Sequence, residues 1–252
     1  MTDTARSNRL SRVLLGAMAL PLALGLAACN KGGESATKAD IPAGPIAPPA
    51  GKQWPDIVAA NAEGGLLVGN PNAPIKLVEY ASLSCPHCAK LAQDGMATLM
   101  EKYIKSGRVS LEFRSFAIHP QDIPLTVLAR CGGDEAYIGL VEQVFGNFDA
   151  MNERFTKGIE AANAAQKLPP EQRYAALSEA LGYTEFFSAR GLPVDQQKKC
   201  LANLPALAEV AKHSENYSAA GINSTPTLFI NGNKVDGAEW QALEAALKAA
   251  GA

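Results

Sequence analysis

The sequence predicts an α/β protein in the order βαβ…ββα, with a block of helices set between its two parts. Three observations predict it. A mostly apolar run from Ile75 to Ala81 precedes residues at helical spacing (Leu91, Gly95, Met96, Leu99, Tyr103) and then the alternating segment "RVSLEFRSF", Arg108 to Phe116. That pattern reads as strand, helix, strand, joined by a crossover. A helical stretch covers about 121–221, and strand character returns in "TPTLFINGNKVDG" before a last helix from Ala238 to Ala249.

The chain has 252 residues, 47% of them hydrophobic and 19% charged, enough for a real core. A formal net charge of -2, with no long charge run, gives no reason to expect nucleic acid or a polybasic membrane contact.

Residues 1–28 read as a secretory signal. Arg6, Arg9 and Arg12 form a positive head, followed by the uncharged run "VLLGAMALPLALGLAA" from Val13 to Ala28. That run is shorter than the ~20 residues a membrane-spanning helix needs. Its end, "LAAC" at Leu26 to Cys29, resembles the lipobox of bacterial lipoproteins, which makes Cys29 the candidate lipidated residue and the anchor a lipid rather than a span. Ordinary cleavage after Ala27 would leave Cys29 as an odd free thiol. Residues 29–53, rich in Gly, Ala and Pro and without apolar periodicity, read as a flexible tether.

Order is expected to begin at Trp54, with a short apolar segment at "GGLLVG", a turn at Asn70-Pro71-Asn72 and the strand to Ala81. In the middle, Tyr137, Leu140, Val141, Val144 and Phe145 share one helix face. Pro169 and Pro170 mark a helix start, and Gly221 a helix end. Asn231-Gly232 between Ile230 and Lys234-Val235 is a hairpin signal. The resulting division is 54–120 and 222–252 for the two parts of the α/β unit and 121–221 for the helical insertion.

The chemistry centres on Cys85-Pro86-His87-Cys88. Two cysteines at this spacing could be half of a zinc site, a structural bridge or a redox pair. Zinc needs about four ligands, and only Cys131, Cys200, His119 and His213 remain, at scattered spacing. A secreted context favours disulfide chemistry. Cys85 falls between a strand and a helix, with Pro86 suited to the first helical position. Its sulfur would then face the unpaired N–H groups and positive dipole end of the helix, which favour thiolate over thiol, and a protonated His87 would add charge. Stabilising the thiolate stabilises the reduced pair, so the disulfide becomes a better oxidant.

Far downstream, "NSTPTLFING" puts Thr225-Pro226 at a strand entry. With the two motifs in this order, the chain from about Leu66 onward resembles the DsbA family of thiol–disulfide oxidoreductases of the bacterial cell envelope, which have a thioredoxin fold interrupted by helices. The resemblance implies that Cys85 is the nucleophile, Cys88 the resolving cysteine and His87 the thiolate stabiliser. It makes Pro226 a cis-proline facing the pair, and Thr225 the residue whose backbone pairs with a bound peptide. A plain trans proline at the strand entry is the alternative for Pro226. Glu79 resembles the family's buried acid, which would tune or shuttle the proton of Cys88; a strand residue facing water is the alternative.

Once Cys85 pairs with Cys88, Cys131 and Cys200 are left as either a structural disulfide or two buried thiols. His119 and His213 read as structural or solvent-facing. The resemblance further implies reduced or unfolded secreted client proteins as partners, reoxidation by a DsbB-like membrane quinone reductase and a periplasmic location. The lipobox makes a lipid the only expected membrane anchor, no cofactor or metal is expected because the two sulfurs carry the electrons, and a monomer is expected because no assembly segment is evident. A disulfide isomerase or reductase and a copper chaperone are the competing readings.

Overall fold

The protein is described by a computed structural model covering residues 44–252. The signal, Cys29 and most of the tether lie outside the described residues. Among the described residues, no helix is long and apolar enough to cross a membrane.

Six strands form one mixed sheet in the order β1-β2-β4-β3-β5-β6. They are β1 (Val58–Ala60), β2 (Gly65–Gly69), β3 (Ile75–Ala81), β4 (Val109–Ser115), β5 (Thr227–Ile230) and β6 (Asn233–Lys234). The central pair, β3 and β4, is parallel and in register from Ile75↔Val109 to Ala81↔Ser115. Antiparallel partners flank it, β2 on β4 and β5 on β3. Helix α1 (Pro86–Thr98), continued by a π-helical turn over Leu99–Ile104, makes the crossover. The period-2 pattern of β3 puts Ile75, Leu77, Glu79 and Ala81 in one buried row.

The sequence reading treated "GGLLVG" only as a short apolar segment. It is β2, and with the mostly exposed β1 it extends the sheet on the β4 side. At the opposite edge, Asn231 and Gly232 turn the chain with φ of 50° and 80°, the left-handed conformation that Asn-Gly hairpins use. The last strand is Asn233–Lys234, one residue earlier than expected, and Val235 N–H still bonds to Leu228 O at 2.9 Å. The last helix, α9 (Trp240–Ala249), begins two residues later than expected, behind an extended Glu239.

Seven helices stand between β4 and β5: α2 (Asp122–Arg130), α3 (Asp134–Gly146), α4 (Phe148–Ala165), α5 (Pro170–Ala180), α6 (Tyr183–Ser188), α7 (Val194–Leu201) and α8 (Leu204–Ala219). One apolar core runs through the sheet and these helices, joining Leu77, Leu111 and Phe113 to Tyr137, Phe145 and Phe187. Helix α1 packs against α3 and α9. Its Gly95 lets the Trp240 ring come so close that a Cβ there would sit 2.1 Å from the ring.

Cys131, just after α2, and Cys200, in α7, form a disulfide across 69 residues of chain. The alternative of two separate thiols is therefore set aside. The end of the supposed tether also lies against the body. Ile46 N–H bonds to Ser106 O at 2.8 Å, and Trp54 Nε1 donates to Ile46 O at 2.7 Å. The tether reading had no periodicity to reveal this, because the contact is made by backbone and one indole.

Candidate active site

The site forms where β3 hands the chain to α1. Ala81 is the last buried residue of the strand, and Ser82, Leu83 and Ser84 make the turn into the helix. Cys85 is the N-cap residue, extended at φ -88° and ψ 122°, and Pro86 occupies N1, where a missing N–H costs nothing. Three-residue spacing inside the helix then brings Cys88 one turn in, under the first cysteine. Cys85 is 5% exposed and Cys88 0%, and both are free thiols in this structure.

The two sulfurs are set up oppositely. A hydrogen bond from the Cys88 side chain is the largest influence on Cys85. Burial opposes it, and the Thr225 side chain and the backbone N–H groups of Cys88 and His87 add to it, so the thiol comes down to about 5. Burial, followed by the hydrogen bond and negative charge of Cys85 and then the charge of Glu79, pushes Cys88 far above an ordinary thiol. The outer sulfur is therefore a ready thiolate and the inner one holds its proton.

His87 is exposed on the helix surface, and what it supplies to the Cys85 sulfur is its backbone N–H. The sequence reading expected the unpaired N–H groups of the helix start to favour the thiolate, with a protonated His87 ring adding charge. The helix N-terminus does part of that work here, because its first amides have no intrahelical partner and converge on the N-cap position.

The Thr225-Pro226 peptide is cis, which sets the trans alternative aside. The loop it forms at the start of β5 brings Thr225 O within 3.3 Å of Cys85 Sγ. Chain positions 140 residues apart thus meet at one sulfur.

Glu79 faces inward, not to water. It is 3% exposed in the row with Leu77 and Ala81, lining a small cavity with Leu91, Met96, Leu99 and Trp240. Burial pushes its carboxyl up to about 7. Its charge acts on Cys88, so the acid lies within electrostatic reach of the inner sulfur.

Other residues near the site had no catalytic role in the sequence reading. Asp122, completely buried at the first position of α2, accepts hydrogen bonds from the turn that leads to Cys85. His119 Nδ1 is 3.1 Å from Ser84 Oγ, beside a cleft of about 290 Å³ lined by Leu83, Leu125, Phe148, Met151 and Phe155. His213 lies elsewhere, stacked on Tyr217. Among the described residues, no group of three or more His, Cys, Asp or Glu side chains is arranged to hold a metal ion.

A parallel β3–β4 pair with a cysteine pair at the start of its crossover helix, faced by a cis-proline loop, defines a thioredoxin-fold protein, here with seven helices inserted between β4 and β5. The family model described as Thioredoxin matches residues 61–249, and the chain belongs to that family, on its DsbA-like side. A Rickettsia bellii protein provisionally named a protein-disulfide oxidoreductase is 26% identical over 187 residues, 73% of this chain and 64% of the relative. The chain spans from about half to two thirds of the length of its Rickettsia relatives, with 53% of the Rickettsia felis protein matched. Among solved structures, the fold is similar to a protein-disulfide isomerase from Novosphingobium aromaticivorans, with TM-score 0.68 and 22% identity over 73% of this chain and 95% of that one. It is similar also to Wolbachia pipientis α-DsbA1, with TM-score 0.60 and 22% identity over 75% and 92%.

Proposed function

We propose that the chain is an extracytoplasmic protein-disulfide oxidoreductase that acts as a dithiol oxidase, with Cys85 and Cys88 as its redox pair. The observation that carries this is the opposite tuning of the two sulfurs, Cys85 held down to about 5 and Cys88 held up. A low thiol pKa favours the reduced pair and so makes the disulfide oxidising.

In the oxidised enzyme, a client thiolate attacks Cys85 Sγ. A client–Cys85 disulfide forms, the Cys85–Cys88 bond breaks, and Cys88 leaves with the electron pair and takes up a proton. Glu79, with its carboxyl at about 7, is the buried group in electrostatic contact with that sulfur and is suited to deliver the proton. A second client thiolate then attacks the client sulfur of the mixed disulfide. Cys85 departs as a thiolate, an easy leaving group at its depressed pKa. The client gains a disulfide and the enzyme keeps two electrons as its dithiol.

The client segment is placed along the Thr225-Pro226 loop, where Thr225 supplies backbone pairing and Pro226 the face against the sulfurs. The apolar cleft beside Ser84 takes a neighbouring side chain. Reduced secreted proteins are the client class, and a DsbB-like quinone reductase is the class of partner that would withdraw the two electrons. A lipidated Cys29 would hold the protein at the envelope membrane.

The test is oxidation of a reduced, unfolded disulfide protein by stoichiometric oxidised enzyme. Rapid transfer of one disulfide is expected, and it should be abolished by Cys85→Ser and by Cys88→Ser, since neither variant can form the disulfide that is donated. Transfer only in the reverse direction, with the reduced enzyme opening client disulfides, would make it a reductase.

A further inference from the structure

The turn that carries Cys85 is held from outside the cysteine motif. Four donors converge on the Asp122 carboxylate, which has no exposure to solvent. Oδ2 accepts from Ser82 Oγ, Ile118 N–H and His119 N–H, each at 3.0 Å, and Oδ1 accepts from Ser84 N–H at 3.1 Å. Asp122 N–H in turn donates to His119 O at 3.0 Å. Two loops distant in sequence, 82–84 and 118–119, are thus bound to one side chain at the first turn of α2. A buried carboxylate persists only where such bonds replace its hydration.

The bonds lie in the path to the sulfur. Ser84 N–H is shared between Asp122 Oδ1 and Ser82 Oγ, the latter at 3.2 Å, and Cys85 N–H closes the same turn on Ser82 O at 3.2 Å. The Ser84–Cys85 peptide therefore has little freedom to rotate. Rotation there would swing Cys85 Sγ away from Thr225 and from the amides of His87 and Cys88.

The geometry points to Asp122 as a positioning residue for Cys85: its carboxylate clamps the Ser82–Cys85 turn, and with it the partners of the sulfur, to the first turn of the helical insertion. This rests on Cys85 being the reacting cysteine. Asparagine has the same shape but cannot perform the task, since one of its two ends would present N–H₂ to donors that need an acceptor. The charge of Asp122 and the clamp act in opposite directions on Cys85. Removing a nearby negative charge favours a thiolate, whereas loosening the turn weakens the hydrogen bonds that favour it. The sign of the change separates the two.

The experiment is a thiolate titration of the reduced full-length protein by ultraviolet absorbance, for the wild type, Asp122→Asn, Ser82→Ala and Thr126→Val. Thr126 is one turn further along α2 and is buried in a 2.7 Å bond to Ser115, so its loss weakens the fold without touching the turn. In Asp122→Asn the Cys85 pKa is expected to rise by about one unit, the usual scale of environmental shifts. In Ser82→Ala a smaller rise is expected, and in Thr126→Val none. An unchanged or lower value in Asp122→Asn overturns the proposal, as does a rise in Thr126→Val equal to that in Asp122→Asn. If Asp122→Asn does not fold, the absence of a rise in Ser82→Ala overturns it. The wild-type titration is a separate matter: an ordinary thiol pKa there would remove the proposed function, whatever the variants do.

Discussion

Replacing Glu79 by glutamine should change how stability depends on pH. The carboxyl lies at about 7 in the folded protein against 4.5 in a free side chain, because burial disfavours its charged form. A carboxyl with a raised folded pKa binds its proton more tightly in the native state than in the unfolded chain. Stability is therefore greatest below 4.5, falls as pH rises towards 7, and is level above that. At ~1.36 kcal/mol per pKa unit the decline amounts to about 3 kcal/mol. Glutamine keeps the shape and has no proton to lose, so the variant should lack that decline. Denaturant unfolding of the reduced wild type and Glu79→Gln, at a series of pH values from about 4 to about 8, measures it. Relative to the wild type, the variant should gain on the order of 3 kcal/mol across this window. A stability difference that stays constant with pH would refute the buried, proton-holding carboxyl. The same variant should transfer disulfides more slowly, since the departing Cys88 sulfur loses its proton source.

Other substitutions probe separate parts of the structure. Cys131→Ser with Cys200→Ser opens a bridge across 69 residues and should cost about 4 kcal/mol on the chain-entropy model, while disulfide transfer by Cys85 is retained; thermal melting and the transfer assay check both. Gly95→Ala would drive a Cβ into the Trp240 ring at 2.1 Å, and overpacking of this kind costs about 1–3 kcal/mol, visible as a lower denaturation midpoint. The depressed Cys85 thiol contributes stability to the reduced protein that is complete above its unfolded pKa of 9.0 and is lost as pH falls through about 5. Reduced Cys85→Ser should lack that component of the pH profile.

Much of the fold was legible because its elements bury one face. Ile75, Leu77 and Ala81 in β3, and Val109, Leu111 and Phe113 in β4, alternate as strands must, and α3 shows Tyr137, Val141, Val144 and Phe145 at helical spacing. β1 was not legible, being three residues long and mostly exposed, so no apolar period marks it. The cysteine motif could be read because helix geometry fixes what a three-residue spacing does at a helix start. Glu79 was ambiguous, since a single acid in a strand is compatible with either face until its row is known. Asp122, Ser82 and Ser84 gave no signal at all. Their meeting depends on two loops folding together, and neither loop has a periodicity that would announce it. The backbone N–H of His87 reaches the Cys85 sulfur, as the geometry of a helix start leads one to expect.

The central claim is that this site is tuned to give a disulfide away. The equilibrium reduction potential of the Cys85–Cys88 pair, measured against glutathione buffers, tests it most directly. A value towards the oxidising end of thioredoxin-fold proteins, about -120 mV, is the result expected from a thiolate held as low as Cys85. A value near about -270 mV, where thioredoxin itself lies, would contradict the account and make the protein a reductant that needs a supply of electrons.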